Sequence, residues 1–172
     1  MKRTIAVILS ILLLGTFLIG CASEKRIKKA IESVERYQYP IDVTSEDWFE
    51  YTVAEKSNML LIPQETLDDM TDLQLLFATA DYPYFCDASI YGFNKDGFDT
   101  FSKYCSAFHE LQSRKSFLKT LKTYGKPVAL LYLSDPNNTL DIARADLILG
   151  MMEVYLGSRP NVVAENGSYF IK

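Results

Sequence analysis

Residues 139–156 read TLDIARADLILGMMEVYL, and this stretch decides the fold class. Its apolar residues recur at helical spacing, at Ile142, Ala145, Leu149, Met152 and Leu156. The second half is apolar on nearly every side, which is typical of a helix in the centre of a domain. Gly157 follows directly, so we predict a central helix over residues 139–156 that ends at this glycine.

Shorter helical patterns precede this helix. Thr52 with Glu55, and Thr71 with Gln74, match the capping box that begins many helices. Pro63 suits the first turn of a helix between them, because its missing N–H would be unpaired there in any case. We therefore predict three successive helices over about residues 52–80.

Two further helices are predicted before residue 126. Asp96 is expected to cap a helix that carries an apolar stripe through residues 98, 101, 105 and 108. A second stripe over residues 117–124 is expected to end at Gly125. Residues 128–133 are six largely apolar residues that fit either a buried strand or a helical turn, and the pattern leaves both open.

No set of alternating strands is visible, so the fold class predicted is all-α, a single compact helical domain. We expect a signal peptide over residues 1–20, a lipidated N-terminus and juxtamembrane helix over 21–40, the helical domain over 41–160, and a C-terminal tail over 161–172. Residues 26–37 carry the apolar spacing of the juxtamembrane helix, which Pro40 is expected to end.

Composition excludes several classes of protein. The chain has 172 residues, 48% of them hydrophobic, which fits one folded domain and not a disordered chain. Its net charge of −4 argues against sequence-independent binding of nucleic acid, which needs clustered Lys and Arg. His109 is the single histidine, so no site with several histidine ligands can exist. We predict no metal site and no cofactor.

The first 21 residues are typical of an export signal. Lys2 and Arg3 precede an apolar run over residues 5–19, too short for a stable membrane span. Leu18-Ile19-Gly20-Cys21 then resembles the lipobox of bacterial lipoproteins. The resemblance implies a diacylglycerol thioether on Cys21, cleavage before it, and acylation of its new amine. Ordinary cleavage after Ala22, or an uncleaved anchor, would explain the same segment differently.

Charge is segregated along the mature chain. Residues 41–99 hold 13 acids and two lysines, a net charge of −11, and residues 100–126 hold six bases and one acid, a net charge of +5. One interpretation is that the two segments neutralise each other in the fold. Alternatively, the first offers an acidic face to a cationic protein or peptide.

The cysteines and the histidine allow competing interpretations. An exported location permits a disulfide between Cys86 and Cys105, whereas two buried thiols explain the same residues. Cys105 and His109 are four residues apart on a predicted helix, which places both on one face. A thiol beside an imidazole is the arrangement of a nucleophile and its general base. A packed helix leaves little room for substrate there, so we expect a core or rim histidine instead.

An acidic cluster and an aromatic cluster are two further candidate sites. Asp68, Asp69 and Asp72 lie at a predicted helix junction, where capping or a loose divalent site explains the carboxylates. Residues 82–108 hold nine aromatics, mostly at the spacing of a helical core. Tyr82 and Tyr84 flank Pro83 at a junction, and we expect these two to be partly exposed and to form a binding surface.

The segment from Ile62 to Lys115 resembles an uncharacterised family of secreted helical bacterial proteins. The matching residues are Ile62-Pro63, Met70-Thr71-Asp72-Leu73, Tyr82-Pro83, Asp87, Gly97-Phe98, Glu110-Leu111 and Arg114-Lys115. The chain has Cys105-Ser106-Ala107 where the family tends to have Phe-Asn-Gly. The resemblance implies a helical fold and export, and it brings no catalytic residue.

The sequence therefore predicts a lipid-anchored protein on the extracytoplasmic side of the cell membrane. A non-enzymatic binding module of the cell envelope is the leading hypothesis, with no catalytic residue assigned. The alternative is an envelope enzyme that uses Cys105 and His109 or the carboxylates of Asp68, Asp69 and Asp72.

Overall fold

The computed structural model describes residues 23–40, 46–85, 90, 92–135, 137–165 and 168–171. The chain divides into two units, Met1–Val34 and Glu35–Lys172. The predicted signal peptide and Cys21 lie outside the described residues. Among those that are described, no helix has both the length and the apolar character needed to cross a bilayer.

The first unit contributes α1, over residues 23–33. The second unit contains α2 (Glu46–Glu50), α3 (Val53–Met59), α4 (Gln64–Asp69), α5 (Asp72–Ala80), α6 (Lys95–Phe101), α7 (Ser106–Ser113), α8 (Phe117–Thr120), a π-turn (Leu121–Gly125), α9 (Lys126–Tyr132), α10 (Thr139–Leu156), β1 (Val162–Glu165) and β2 (Ser168–Ile171). The fold is all-α apart from a C-terminal hairpin, which confirms the predicted class.

Helices α5 and α10 form the centre of the second unit. Seven of the nine residues of α5 are buried. The segment after α1 covers part of α5: the Tyr39 hydroxyl donates to the carbonyl of Ala78 at 2.9 Å, and the Arg36 guanidinium lies 4.1 Å from the ring centre of Phe77. The juxtamembrane helix therefore ends earlier than predicted, at residue 33, and the residues after it contact α5 through Glu35, Arg36 and Tyr39.

An aromatic cluster joins α6, α7, α8 and α10. The Phe108 ring is fully buried and lies 5.5–6.4 Å, between ring centres, from the rings of Phe98, Phe101, Phe117 and Tyr155. Because α6 and α7 are separate helices, the stripe predicted on one helix is divided between two. Asn94, and not Asp96, caps α6: its side chain accepts from the N–H of Gly97 at 2.9 Å.

Gly125 does not end a helix as predicted. Pro127 has no N–H and its ring crowds the carbonyl four residues before it, so a regular α-helix cannot pass through this point. The chain instead makes a π-turn over Leu121–Gly125 and continues into α9, which settles residues 128–132 as helical. A Cβ at Gly125 would lie 2.7 Å from the Met152 sulfur, so glycine permits the close approach of α10.

The C-terminal residues form an antiparallel hairpin where a tail was predicted. Val162 pairs with Ile171 and Glu165 with Ser168, and β2 lies alongside α9. The β-branched and aromatic residues of this segment favour a strand, but the segment is too short to show a clear alternation of apolar and polar residues.

Replacing Gly150 with alanine is expected to destabilise the protein by about 1–3 kcal/mol, although alanine normally favours a helix interior over glycine. The new Cβ would lie 2.9 Å from Cδ1 and 3.4 Å from Cβ of Phe93, so the ring would have to move as a whole. Urea unfolding measures the effect. The double variant with Phe93→Ala should lose the Gly150 penalty, and an additive double variant would contradict the clash.

Candidate functional site

The most elaborate polar junction lies where α5 begins. Both predicted capping boxes are present, and in the second the Thr71 hydroxyl accepts from the N–H of Gln74 while the Gln74 side chain accepts from Thr71. The next residue, Asp72, accepts from the Arg114 guanidinium at 3.1 Å and from the Thr120 hydroxyl at 3.0 Å. Asp72 therefore links α5 to the segments that contain Arg114 and Thr120.

Arg114 is the organising side chain of this junction. Its guanidinium also donates to the carbonyls of Met70 at 2.7 Å and Leu67 at 2.8 Å, and to the Glu110 carboxylate at 2.9 Å. The two carbonyls belong to the C-terminal end of α4, which otherwise has few partners for its last carbonyls. One planar cation thus joins the end of α4, the start of α5 and the end of α7.

A cleft of about 300 Å³ opens beside this junction. It lies between the start of α5 and the α8–π-turn segment, and it is lined by Thr71, Asp72, Leu73, Ser116, Lys119, Thr120, Thr123 and Tyr124. Hydroxyl groups dominate the lining, with one ammonium and one carboxylate. This chemistry suits hydrogen bonding to a polar group, and the carboxylate is already held by Arg114 and Thr120.

The surroundings of Asp72 lower its pKa. Partial burial opposes ionisation, but hydrogen bonds from Ser116, Arg114 and Thr120 and the charge of Arg114 outweigh it. A carboxyl group whose pKa is lower in the folded state stabilises the fold above its unfolded pKa of about 3.9. That contribution is lost as the pH falls through the folded pKa.

Replacing Asp72 with asparagine is therefore expected to cost most stability near pH 7 and progressively less below about pH 4. Urea unfolding of the two proteins across this range would measure the difference. Asp69→Asn is the matched control, because Asp69 is exposed and makes no ion pair within the described residues. A penalty for Asp72→Asn that stays constant with pH would contradict the pairing of Asp72 with Arg114.

The other two carboxylates of the predicted cluster are not brought to this junction. Asp68 is exposed and accepts from the Gln64 side chain at 2.8 Å, one turn earlier in α4. Asp69 is also exposed. Within the described ranges, no group of three or more His, Cys, Asp or Glu side chains is arranged to hold a metal ion. Asp72 therefore pairs with a cation and not with its two neighbours.

Cys105 and His109 occupy different environments. The thiol of Cys105 is fully buried at the start of α7, and burial raises its pKa to about 12 although the N–H groups of Phe108 and Ala107 oppose the change. His109 is exposed one turn later. A catalytic thiolate requires the opposite, a lowered pKa and access to substrate. Cys105 has no disulfide partner among the described residues, and Cys86 lies outside them, so their pairing stays a prediction.

Cys105 is expected to resist iodoacetamide at neutral pH in the folded protein and to react fully in denaturant. Alkylation needs the thiolate, which burial of Cys105 disfavours, and it needs access to the sulfur, which the buried side chain does not offer. Mass spectrometry of the peptide that contains Cys105 measures the modification. Rapid alkylation without denaturant would contradict the buried placement and revive the thiol-enzyme hypothesis.

Tyr82 and Tyr84 were predicted to be partly exposed and to form a binding surface, and this prediction is wrong for Tyr82. That side chain is only 4% exposed, because its ring packs edge-on against Tyr39 and Phe101. Tyr84 is half-buried and accepts from the indole N–H of Trp48 at 2.8 Å. Sequence spacing placed these aromatics at a junction but could not show that Tyr39 packs against Tyr82 and that Trp48 binds Tyr84.

Some carboxylates of the acidic segment form ion pairs with arginine side chains. Asp72 pairs with Arg114, and Asp81 lies 3.6 Å from both Arg36 and Arg144. The Tyr132 hydroxyl donates a hydrogen bond of 2.7 Å to the Asp81 carboxylate. Among these contacts, the Asp72–Arg114 pair joins the acidic segment 41–99 to the basic segment 100–126, whereas Arg36 and Arg144 lie outside both segments.

Other carboxylates remain on the surface. Those exposed on α2 and α4 form no ion pair with any described residue; they are Glu46, Asp47, Glu50, Glu65, Asp68 and Asp69. Some carboxylates of the acidic segment are thus paired internally, and others face solvent.

Comparison with protein-family models, curated proteins and solved structures found no match. The lipobox and the resemblance of residues 62–115 to a secreted helical family remain predictions from the sequence. Sequence reasoning singled out Asp72 but missed Arg114 and Thr120 as its partners. The capping box at Thr71 was the available signal for this site, because it fixed where α5 begins.

Proposed function

We propose that this protein is a bacterial lipoprotein, held by Cys21 at the extracytoplasmic face of the cell membrane, whose helical domain is a non-enzymatic binding module. The sequence Leu18-Ile19-Gly20-Cys21 after a short apolar run carries the proposal. It provides the cysteine nucleophile, a small residue before it and an aliphatic residue at the required spacing.

The role as a binding module, and not an enzyme, is supported by the state of the candidate catalytic groups. Cys105 is buried with a raised pKa, which keeps the thiol protonated at neutral pH. Asp72 is held by a guanidinium and hydroxyl groups, so its carboxylate stabilises the fold. Both side chains have structural partners that account for them.

We propose a cationic protein or peptide as the partner of the carboxylates on α2 and α4. Glu46, Asp47 and Glu50 are all exposed on one short helix, and Glu65 is exposed on α4. Clustered charges raise the local concentration of ligands of opposite charge, and salt screens the attraction over about 10 Å at 0.1 M.

The anchor is tested by the intact mass of the protein extracted from its native membrane. The expected chain begins at Cys21 and carries the mass of a diacylglycerol group. A chain that begins at Ser23 without lipid would overturn the anchor and make the protein freely secreted or periplasmic. Reduction in the same experiment reports on a disulfide, since its opening adds two hydrogens.

The acidic surface is tested with a lysine-rich peptide as the probe. Glu46→Gln, Asp47→Asn and Glu50→Gln together should weaken its binding, and salt should weaken binding to the wild-type protein. A triple variant at Glu24, Glu35 and Asp96 is the charge-matched control, because these acids are exposed on other segments and form no ion pair with any described residue. Salt-insensitive binding, or equal loss in both variants, would contradict the assignment of the α2 surface.

A further inference from the structure

The α8–π-turn–α9 segment carries a row of lysines on its solvent side. Lys115, Lys119, Lys122 and Lys126 are all exposed, and so is Leu118, with 51% of its surface accessible. We call these four lysines with Leu118 the lysine face. Lys119, Lys122 and Lys126 span seven residues, about 10 Å at about 1.5 Å per residue, and Lys115 lies in the turn before α8.

The opposite side of the same segment is anchored in the core. Phe117, Leu121, Gly125 and Val128 are buried, so the direction of the lysine face is fixed by packing. Helix neighbours lie three or four residues apart, as the lysines do. In the π-turn the backbone bonds reach five residues and not four, which keeps Leu118, Lys122 and Lys126 close to one line despite their eight-residue span.

No acidic side chain compensates these charges in the part of the chain that the structure describes. The lysines that form ion pairs there are Lys28, with Glu32, and Lys95, with Asp99. Arg114, from the same basic segment, is fully engaged with Asp72 and Glu110. The lysine face is therefore a surface cation cluster with an apolar side chain in its middle, on a protein whose net charge is negative.

We propose that the lysine face docks on the anionic headgroup surface of the bilayer. This inference rests on the proposed lipid anchor, which would hold the domain beside that surface at a high effective concentration. The ammonium groups complement lipid phosphates, and Leu118 reaches the apolar boundary beneath them. Each lysine near an anionic membrane shifts the docked–undocked equilibrium by about fivefold, and salt screens the effect.

The bilayer fits this face better than a protein partner does. The four lysines are spread over the turn before α8 and the α8–π-turn–α9 segment, which suits an extended anionic surface. Of the four, Lys119 alone lines the cleft beside Asp72, whose carboxylate is already held by Arg114 and Thr120. A tether near the N-terminus makes the bilayer the anionic surface that is always within reach. Binding at this face would leave the carboxylates of α2 and α4 to a separate, cationic partner.

The test is lysine footprinting of the mature, full-length lipoprotein in vesicles. The protein is reconstituted into vesicles of phosphatidylcholine alone and of phosphatidylcholine with phosphatidylglycerol, and sulfo-NHS-acetate is added. Acetylation of Lys115, Lys119, Lys122 and Lys126 should be at least tenfold slower in the anionic vesicles, and high salt should restore it. Lys56, Lys95 and Lys103 of the same molecule are internal controls, and their rates should not change.

The outcomes distinguish the proposed docking of the lysine face from the proposed lipid anchor. Equal labelling of the lysine face in both vesicle types, with the protein still sedimenting with them, would overturn the docking proposal and leave the anchor intact. A protein that fails to sediment with phosphatidylcholine vesicles would overturn the anchor itself. If the lysine face is protected from acetylation in native membranes but not in anionic vesicles, its partner is another anionic molecule, and the proposal that it docks on the bilayer is overturned.

A variant gives an independent check. Lys119→Gln, Lys122→Gln and Lys126→Gln should together abolish the difference that Lys115 shows between the two vesicle types. The matched control is Lys56→Gln, Lys95→Gln and Lys103→Gln, which removes the same charge elsewhere and should preserve it. Equal behaviour of the two variants would show that net charge, and not the lysine face, governs the approach to the membrane.

Discussion

Replacing Phe108 with alanine is expected to lower the free energy of unfolding by about 3–5 kcal/mol. The ring has no exposed surface and lies against four other aromatic rings contributed by α6, α8 and α10. Its removal takes away apolar burial and leaves a cavity between helices, which rigid rings cannot refill. A domain of this size has a total stability of about 5–15 kcal/mol, so the loss is a large fraction of it.

Urea unfolding followed by far-UV circular dichroism measures the change. Leu118→Ala is the control, because that side chain is half exposed and its loss should change stability by less than about 0.5 kcal/mol. Phe108→Leu should fall between the two, since leucine refills part of the space. If Phe108→Ala costs less than about 1 kcal/mol, the aromatic cluster does not form the junction of these helices.

The sequence predicted elements whose ends are marked by local chemistry. The bounds of α10 were correct because Gly157 adopts the left-handed conformation, with φ of 67°, that ends a helix. The starts of α3 and α5 were correct because a capping box needs only residues three apart. Such signals involve near neighbours in the chain, so no tertiary information is required.

The errors arose where a distant part of the chain decides the outcome. Gly125 looked like a helix end, but its lack of a side chain serves the approach of Met152 from α10. Tyr82 looked exposed, but Tyr39 covers it. In the site, Asp72 was identified among three acids, whereas its partner Arg114 lies 42 residues further along. Spacing in the chain cannot reveal such pairings.

Replacing Arg114 with alanine is expected to destabilise the protein by about 3 kcal/mol, an effect comparable with that of a core aromatic. The side chain is 21% exposed, and it makes ion pairs with Asp72 and Glu110 as well as hydrogen bonds to two carbonyls. Alanine would leave both carboxylates without their cation and the end of α4 without its donor.

Three further variants separate the contribution of charge from that of geometry in this prediction. Arg114→Lys keeps the positive charge but cannot reach four acceptors from one planar group, so it should recover less than half of the loss. Lys115→Ala removes a neighbouring charge that has no partner among the described residues, and should be nearly neutral. Asp72→Asn in the Arg114→Ala background should cost less than in the wild-type protein, because the ion pair is already lost. Additive losses would mean that Arg114 acts through the α4 carbonyls alone, and that the acid at the start of α5 is held by Thr120.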